Sequence, residues 1–189
     1  AGCTWNDITD RDIDSAVERT RSRPIPSDQV SLQRAVIWMV LQAILASAIL
    51  FSFHKVAIYL GILSLLPVAI YPFAKRFTWW PQVFLGIAFN WGILLAFAAH
   101  TGTVTLATMI MYVGAIFWTL FYDTIYAHQD KEDDALIGVK SSALALENST
   151  KPFIYTVYVI TMSGIFLIGW ISEFSIPFYL VCLIAFCQL

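Results

Sequence analysis

The fold is decided by stretches such as TVTLATMIMYVGAIFWTLFY, residues 103–122, which contains no charged side chain and is followed directly by Asp123. A helix rises about 1.5 Å per residue, so about 20 residues cross the roughly 30 Å of hydrocarbon in a bilayer. Backbone groups in lipid must be hydrogen-bonded within their own segment, which an α-helix achieves. The stretch therefore predicts a transmembrane helix that ends at an acidic boundary.

The same pattern recurs along the chain. Further uncharged apolar runs lie at 35–53, 56–74, 83–99 and 152–171, and a sixth lies at 174–189. With 59% hydrophobic residues, 13% charged residues and a mean hydropathy of +0.72, the composition excludes an ordinary soluble domain. We therefore predict an all-α, polytopic transmembrane helical bundle, with residues 1–189 forming a single domain. Because the chain begins without Met and both ends are apolar, we expect this domain to be truncated at both ends.

The charged residues are concentrated in three polar regions. Twelve of the thirteen acidic residues lie in 6–28 and 123–147, and ten of the eleven Lys and Arg lie in 11–34, 75–76 and 131–151. Two predicted helices separate each region from the next, so all three regions belong to the same membrane face. The positive-inside rule assigns that face to the cytoplasm or an equivalent compartment. This asymmetry predicts a one-sided site rather than a conduit.

Two sets of carboxylates have helical spacing, which at about 100° per residue puts the members of each set on one helix face. The first set is Asp7, Asp10 and Asp14, and the second is Asp123, Asp130 and Asp134, with Tyr126 on the neighbouring turn. Asp12 and Glu132 point away from these faces and are predicted to be solvated. Magnesium prefers oxygen ligands and typically takes one or two carboxylates plus substrate phosphates. Two facing rows of carboxylates therefore suit Mg²⁺ ions that bridge a diphosphate.

Basic residues follow each set of carboxylates. Arg19 and Arg23 follow the first set, and Gly138 and Lys140 follow the second. Arg can hold a phosphate with two parallel hydrogen bonds, whereas Lys supplies a compact charge. We expect other cations, namely Arg11, Arg21 and Arg34, to be positive-inside anchors. An idle charge run at a membrane surface is the alternative, and the helical register of the acids argues against it.

Long motifs in these regions resemble those of a known family. The first is Asn6-Asp7-x-x-Asp10-x-x-x-Asp14 followed by Arg19-Thr20-x-x-Arg23-Pro24-x-Pro26, and the second is Tyr122-Asp123-Thr124-x-Tyr126-Ala127-x-x-Asp130-x-x-Asp133-Asp134-x-x-x-Gly138-x-Lys140-Ser141. Both resemble the two motifs of the UbiA superfamily of intramembrane aromatic prenyltransferases, in the family's order. The resemblance covers essentially the whole chain. It implies a nine-helix fold, of which about six spans are present here.

The resemblance also implies a role for each motif residue. Asp7, Asp10, Asp14, Asp130 and Asp134 would hold two Mg²⁺ ions against the diphosphate of a polyprenyl substrate, and Asn6 would support the first set. Arg19, Arg23 and Lys140 would bind phosphate oxygens and stabilise the leaving group. Asp123 would orient the acceptor or remove its proton, and Tyr126 is a further candidate for substrate binding. Loss of diphosphate would leave an allylic cation that an aromatic ring attacks.

A third motif narrows the acceptor. Tyr71-Pro72-x-x-Lys75-Arg76-x-Thr78-x-x-Pro81-Gln82-x-x-Leu85-Gly86 resembles the branch that prenylates 4-hydroxybenzoate in ubiquinone synthesis. In that branch, the residue matching Arg76 is thought to hold the acceptor's carboxylate, whereas Lys75 is equally well explained as a positive-inside flank. The partners would then be polyprenyl diphosphate, 4-hydroxybenzoate and membrane lipids, without nucleic acid. The enzyme would belong to a bacterial or mitochondrial inner membrane, with its active face towards the cytoplasm or matrix.

Three other interpretations remain open. Within the family, the acceptor could be a naphthoate, homogentisate, a chlorophyllide or haem. A divalent-cation transporter would also need carboxylates, but it predicts acids inside the membrane or on both faces, and the five complete apolar runs contain no charged residue. A catalytically idle scaffold is the third, and the presence of every motif acid argues against it.

Overall fold

The computed structural model describes residues 1–187, and the regular structure of these residues is entirely helical. The helices are α1 Gly2–Thr9, α2 Arg11–Ala16, α3 Leu32–Leu50, α4 Lys55–Leu63, α5 Leu65–Ile70, α6 Ala74–Phe77, α7 Pro81–Thr101, α8 Leu106–Ala127, α9 Lys131–Ile137, α10 Ser142–Leu146, α11 Thr150–Ile171 and α12 Ile176–Phe186. Two 3₁₀ turns, Tyr71–Phe73 and Glu147–Ser149, link neighbouring helices. The last two residues of the predicted run 174–189 lie outside the described residues.

Five helical segments are long and apolar enough to cross a membrane. They are Leu32–Leu50, Lys55–Phe77, Pro81–Thr101, Leu106–Ala127 and Ser142–Ile171. The five complete spans predicted from the sequence are therefore confirmed, and α12 accounts for the described part of the sixth apolar run. The helices extend beyond the uncharged runs, so Lys75 and Arg76 lie in the last turn of one span and Asp123 lies in the last turns of another. Charged side chains thus reach the membrane boundary on helical backbone.

Segment Lys55–Phe77 is not a regular helix. It comprises α4, α5, the turn Tyr71–Phe73 and α6. Pro67 and Pro72 lie in its second half, and each removes a backbone N–H that an α-helix would use. These breaks bring the short helix α6 to the end of the bundle, where it presents Lys75 and Arg76 to the acidic regions.

Helix α8 lies at the centre of the packing, between α7 and α11. At Gly86 of α7, an added Cβ would lie 3.1 Å from Ile116 Cγ2 of α8, so the small residue permits a close approach of the two helices. The Asn90 side chain donates to the Gly86 and Ala115 carbonyls and to Thr119 Oγ1, at 2.8, 3.1 and 2.8 Å. The Asn90 amide nitrogen thus links α7 to α8 near the centre of this pair of helices.

Neither set of carboxylates lies on one uninterrupted helix, and on this point the sequence-based prediction was wrong. Asp10 lies between α1 and α2 with φ −101° and ψ 6°, although its N–H still bonds to the Asn6 carbonyl at 2.9 Å. In the second set, α8 ends at Ala127 before Asp130, and Asp134 belongs to α9. Turns between helices, rather than helical register alone, bring the second set together.

Candidate active site

The three polar regions meet at one end of the helical bundle. Lys75 of α6 forms an ion pair with Asp10 at 2.8 Å between Nζ and Oδ2. Its carbonyl accepts a hydrogen bond from the backbone N–H of Lys140 at 2.9 Å. Arg19 completes the connection by binding Asp130. Regions far apart in the sequence therefore form a single polar mouth, which agrees with the prediction that they share a membrane face.

A cavity of about 280 Å³ lies between the two sets of carboxylates, and we call it the acidic cavity. Its lining includes Asn6, Asp10, Asp14, Arg19, Arg23, Lys75, Asp123, Asp130 and Asp134. Carboxylates from both acidic regions thus face the same space, as the sequence predicted, and three basic side chains lie among them. Tyr71, Pro72 and Leu85 are part of the wall that the intervening helices supply.

Cations neutralise the first set of carboxylates. Asp10 is only 2% exposed and pairs with Lys75, while Arg76 lies 3.7 Å from its other oxygen. Arg23 Nη1 lies 2.9 Å from Asp14 Oδ2 and 3.4 Å from Asp7 Oδ1. Burial raises the pKa of Asp10 above its ordinary value, although Lys75 opposes this rise. Burial also raises the pKa of Asp7, against the influence of Arg23.

The second set is less completely paired. Asp130 accepts two hydrogen bonds from Arg19, one of them from Nε at 2.8 Å and the other from Nη2. This fork matches the geometry of a carboxylate and is a direct link between the two acidic regions. Burial raises the pKa of Asp134. Within residues 1–187, neither Asp123 nor Asp134 forms an ion pair, so negative charge remains available on this side of the cavity.

A second cavity, of about 230 Å³, adjoins the first, and we call it the side cavity. It shares Arg19, Lys75, Pro81, Asp123, Asp130 and Asp134 with the acidic cavity, and it adds Gln82, Tyr126, Ala127, Val139, Lys140 and Ser141. Gly138 ends α9 with φ 80°, and the chain then turns to bring Lys140 into this wall. Lys140 Nζ donates to the Phe77 carbonyl at 3.1 Å and lies 5.6 Å from the centroid of the Trp79 ring.

The structure brings together most of the residues that the sequence nominated. Two nominated residues lie outside the lining of both cavities. Asp7 is held by Arg23 at the edge of the first set, and Arg76 donates to the Thr9 carbonyl at 2.6 Å, with its side chain 45% exposed. As predicted, Asp12 and Glu132 are exposed.

Sequence reasoning missed two residues that line the cavities. Lys75 was equally well explained as a positive-inside flank, yet it pairs with a buried carboxylate. Gln82 appeared in a motif without any role, and its side chain is 3% exposed on the wall of the side cavity. The third motif contains both residues, so it was the available signal, but only tertiary packing reveals what they contact.

The side chains fit the coordination chemistry of magnesium. The acidic cavity offers carboxylate and amide oxygens without sulfur or imidazole, which is the donor set that Mg²⁺ prefers. Asp10 Oδ1 is buried, accepts no hydrogen bond and lies 3.7 Å from Arg76, so this oxygen has a lone pair for a metal ion. Among the described residues, no three acidic, His or Cys side chains form a ready metal cage. The site therefore suits an ion that completes its coordination with substrate phosphates and water.

An apolar cavity of about 620 Å³ lies among helices α7, α8, α11 and α12. Trp118, Phe121, Tyr158, Met162 and Cys182 contribute to its lining. The Trp118 and Phe121 rings stack at 5.2 Å between centroids, and Phe121 also contacts Tyr158 at 5.3 Å. The helical bundle thus combines a charged mouth with a large apolar cavity in its body.

Together, these features define a class: a polytopic membrane protein with an acidic, cation-lined cavity at one end of the bundle, suited to magnesium and phosphate. Comparison with known proteins identifies the family. The chain belongs to the UbiA prenyltransferase family, whose sequence model matches residues 1–189.

Curated relatives share much of this sequence. The chain is 45% identical over 180 residues to the mitochondrial 4-hydroxybenzoate polyprenyltransferase of Drosophila pseudoobscura pseudoobscura, a match that covers 95% of this chain and 45% of the relative. It is 38% identical over 185 residues to the 4-hydroxybenzoate octaprenyltransferase of Tolumonas auensis, covering 98% of this chain and 65% of that protein. The chain thus spans about half to two thirds of the length of these relatives.

Solved structures share the fold. The apo structure of a UbiA homologue from Aeropyrum pernix K1 superposes with a TM-score of 0.85 at 22% identity, over 98% of this chain and 71% of that one. A UbiA homologue from Archaeoglobus fulgidus, solved with GPP and Mg²⁺, gives a TM-score of 0.77 at 16% identity, over 98% of this chain and 66% of the other. The predicted all-α bundle of the UbiA type is confirmed.

Proposed function

We propose that this chain forms part of an integral-membrane enzyme that transfers a polyprenyl group from polyprenyl diphosphate to the ring of 4-hydroxybenzoate. The observation that supports this most directly is the acidic cavity, where Asp10 and Asp14 face Asp123, Asp130 and Asp134. Relatives at 38–45% identity are named for the same acceptor. The third motif, which includes Lys75, Arg76 and Gln82, gives independent support from the sequence.

Five carboxylates are proposed to hold magnesium: Asp7, Asp10, Asp14, Asp130 and Asp134. When bound, Mg²⁺ would act as a Lewis acid that stabilises negative charge on the diphosphate leaving group. A family member with the same fold was solved with GPP and Mg²⁺, which supports this cofactor. Asn6 would support the first set of ligands, since it lines the acidic cavity beside them.

Basic residues are proposed to bind the diphosphate. Arg19 and Arg23 line the acidic cavity, and Lys140 lines the side cavity that adjoins it. Each Arg is paired with a carboxylate, so substrate binding would exchange that partner for a phosphate oxygen. These donors would stabilise the charge that builds as the bond between the prenyl carbon and the diphosphate oxygen breaks, with the electron pair leaving on oxygen.

The acceptor ring is proposed to attack the resulting allylic cation. A bond forms between the prenyl carbon and the ring carbon ortho to the phenol, and that ring carbon then loses its proton to restore aromaticity. Asp123 is the proposed orienting or proton-accepting group, because it lines both cavities and has no ion-pair partner among the described residues. Tyr126, at the wall of the side cavity, is proposed to contact the acceptor.

Two cations compete for the acceptor's carboxylate. Arg76 is the sequence-based proposal, and its planar guanidinium matches a carboxylate, but it donates to the Thr9 carbonyl outside the cavity lining. Lys140 lines the side cavity and has no carboxylate partner in the part of the chain that the structure describes. Comparing Arg76→Ala with Lys140→Ala separates these two assignments. Substituting the residue that binds the acceptor's carboxylate should raise KM for 4-hydroxybenzoate and leave KM for the polyprenyl diphosphate unchanged.

The polyprenyl tail is proposed to lie among apolar side chains and membrane lipids, with the apolar cavity as its first candidate. Trp118 and Phe121, which line that cavity, would present aromatic ring faces there. Relatives include mitochondrial and bacterial enzymes, so we propose an inner membrane, with the polar mouth facing the matrix or cytoplasm.

An acceptor panel tests the proposed function. Membranes containing the full-length protein would receive a radiolabelled polyprenyl diphosphate with 4-hydroxybenzoate, a naphthoate or homogentisate, with magnesium or with a chelator. We expect magnesium-dependent prenylation of 4-hydroxybenzoate. Transfer only to another acceptor would keep the family and overturn the acceptor, whereas no transfer to any acceptor would favour an idle scaffold.

A further inference from the structure

Two amide side chains, those of Gln82 and Asn90, lie on the same helix and differ in their hydrogen bonding. Asn90 donates to three acceptors between α7 and α8. Gln82 lies eight residues earlier on α7, about 12 Å away along the axis. Its side chain is 3% exposed, and its Oε1 is buried without a hydrogen-bond partner. The Asn90 amide nitrogen therefore links two helices, whereas no group in the described part of the chain donates to Gln82 Oε1.

An unpaired buried amide is costly. Leaving such a group without a hydrogen bond costs about 1–3 kcal/mol, whereas an apolar side chain of similar shape would avoid the penalty. A Gln at this position is therefore unfavourable for folding alone. The cost is recovered if a ligand supplies the missing hydrogen bond, which is the expected behaviour of a residue that recognises a polar group on a substrate.

The surroundings of Gln82 define what that ligand must be. The side cavity is lined by apolar side chains, by three cations and by three carboxylates: Pro81, Ala127 and Val139, then Arg19, Lys75 and Lys140, and Asp123, Asp130 and Asp134. It adjoins the acidic cavity through Asp123. A ligand here would therefore be small, with a negative group for a cation and a hydrogen-bond donor such as a hydroxyl for Gln82 Oε1. A hydroxylated aromatic acid meets these requirements, and a diphosphate, which has no hydrogen-bond donor, leaves Oε1 unpaired.

We propose that Gln82 is a specificity-determining residue whose Oε1 accepts a hydrogen bond from the phenol O–H of the aromatic acceptor. The assignment rests on the proposed function and deepens it, because it states how the enzyme distinguishes a hydroxylated acceptor from the same acid without its hydroxyl. Gln82 does not take part in breaking or forming covalent bonds. It orients the ring beside Asp123.

Equilibrium binding of two ligands tests the assignment. The full-length protein, wild type or with Gln82→Met, would be titrated with 4-hydroxybenzoate and with benzoate, which lacks the hydroxyl. Met matches Gln in length and removes the acceptor atom. We expect the wild type to prefer 4-hydroxybenzoate and Gln82→Met to reduce that preference by about 10-fold, the factor associated with one hydrogen bond of about 1.4 kcal/mol. Gln82→Glu retains an acceptor oxygen and should keep the preference.

Asn90→Leu is the matched control, since it removes from the same helix an amide whose N–H groups bond within the protein. It should lower the melting temperature and leave the preference for 4-hydroxybenzoate over benzoate unchanged. If Gln82→Met kept the preference and still prenylated 4-hydroxybenzoate, the assignment of Gln82 would be overturned and the proposed function would stand. Loss of prenyl diphosphate binding in Gln82→Met would also overturn it, by indicating a structural role. A wild type that does not use 4-hydroxybenzoate would instead overturn the proposed function.

Discussion

The two acidic regions of this protein face the same cavity, but they differ in how their charge is balanced. In the first region, Asp10 and Asp14 are buried, and each has a basic partner, Lys75 and Arg23 respectively. In the second region, Asp130 is held by Arg19, whereas Asp123 and Asp134 form no ion pair within residues 1–187. The difference indicates that the first region is stabilised by the protein's own cations and that the second depends more on an added cation.

Both regions should nevertheless be indispensable for activity, and this is the largest effect that we expect. Asp10→Asn and Asp130→Asn each remove a carboxylate that faces the acidic cavity. Because even outer-shell partners of a metal site change affinity or activity by about 10–100-fold, each loss should reduce the rate of prenyl transfer by about 100-fold or more. The measurement is the rate of transfer to 4-hydroxybenzoate by the full-length protein at saturating magnesium.

Asp12→Asn is the matched control, because Asp12 is an exposed acid between Asp10 and Asp14. It should leave the rate of prenyl transfer within about 2-fold of the wild type, as expected for a solvated surface residue. A large loss in only one of the two acidic regions would show that the regions do not act on the same substrate group.

Removing Lys75 should make the stability of the first acidic region depend more strongly on magnesium. Lys75→Met leaves the buried Asp10 carboxylate without its nearest cation, and breaking a buried pair in this way destabilises a protein by about 3–5 kcal/mol. Because the Lys75 side chain is partly exposed, we expect a loss of stability near the lower end of this range. We expect a lower melting temperature in chelator and a larger recovery on adding magnesium than in the wild type.

Lys131→Met tests whether this effect is specific, since Lys131 belongs to the second region and forms no ion pair in the described chain. It should change neither the melting temperature in chelator nor the response to magnesium. If magnesium raised the melting temperatures of Lys75→Met and the wild type equally, the metal would not be replacing Lys75 beside Asp10.

The pH dependence of stability is the smallest effect that we predict. Burial raises the pKa of Asp10 and Asp134, so the folded, metal-free protein binds protons that the unfolded chain releases. The free energy of unfolding in chelator should therefore increase as the pH falls through these raised pKa values towards about 4. Magnesium requires the ionised carboxylates, so its affinity should decrease over the same range.

The difference between wild type and Asp10→Asn isolates this contribution. The variant cannot titrate at this position, so its melting temperature in chelator should rise less steeply as the pH is lowered. Identical pH profiles for the two proteins would contradict the raised pKa of Asp10.

The sequence was sufficient to predict the class of fold and the composition of the cavity. Uncharged runs of about 20 residues specify transmembrane helices because lipid requires internally satisfied backbone groups. The motif acids and Arg19 could be nominated from their spacing, and most of them do line the acidic cavity. Helical register was less reliable, since the second set spans the break between α8 and α9.

The contacts of Lys75, Arg76 and Gln82 could not be predicted, because they depend on which distant residue each side chain meets. Lys75 and Arg76 are adjacent in the sequence, yet Lys75 reaches into both cavities and Arg76 remains at the outer edge of Asp10. The unpaired oxygen of Gln82 becomes evident only once the packing of α7 is known. Spacing in the sequence indicates which residues share a helix face. The contacts made by residues at the breaks between helices are evident only in the folded structure.

Magnesium-dependent binding of a prenyl diphosphate is the decisive test of whether the two acidic regions form one site, because it requires both regions without requiring an acceptor. The full-length wild type, Asp10→Asn, Asp130→Asn and Asp12→Asn would be titrated with radiolabelled geranyl diphosphate, in magnesium and in chelator. We expect tight binding only with magnesium in the wild type and Asp12→Asn, and weak binding in both Asp10→Asn and Asp130→Asn. Binding that is independent of magnesium, or that survives either substitution unchanged, would contradict it.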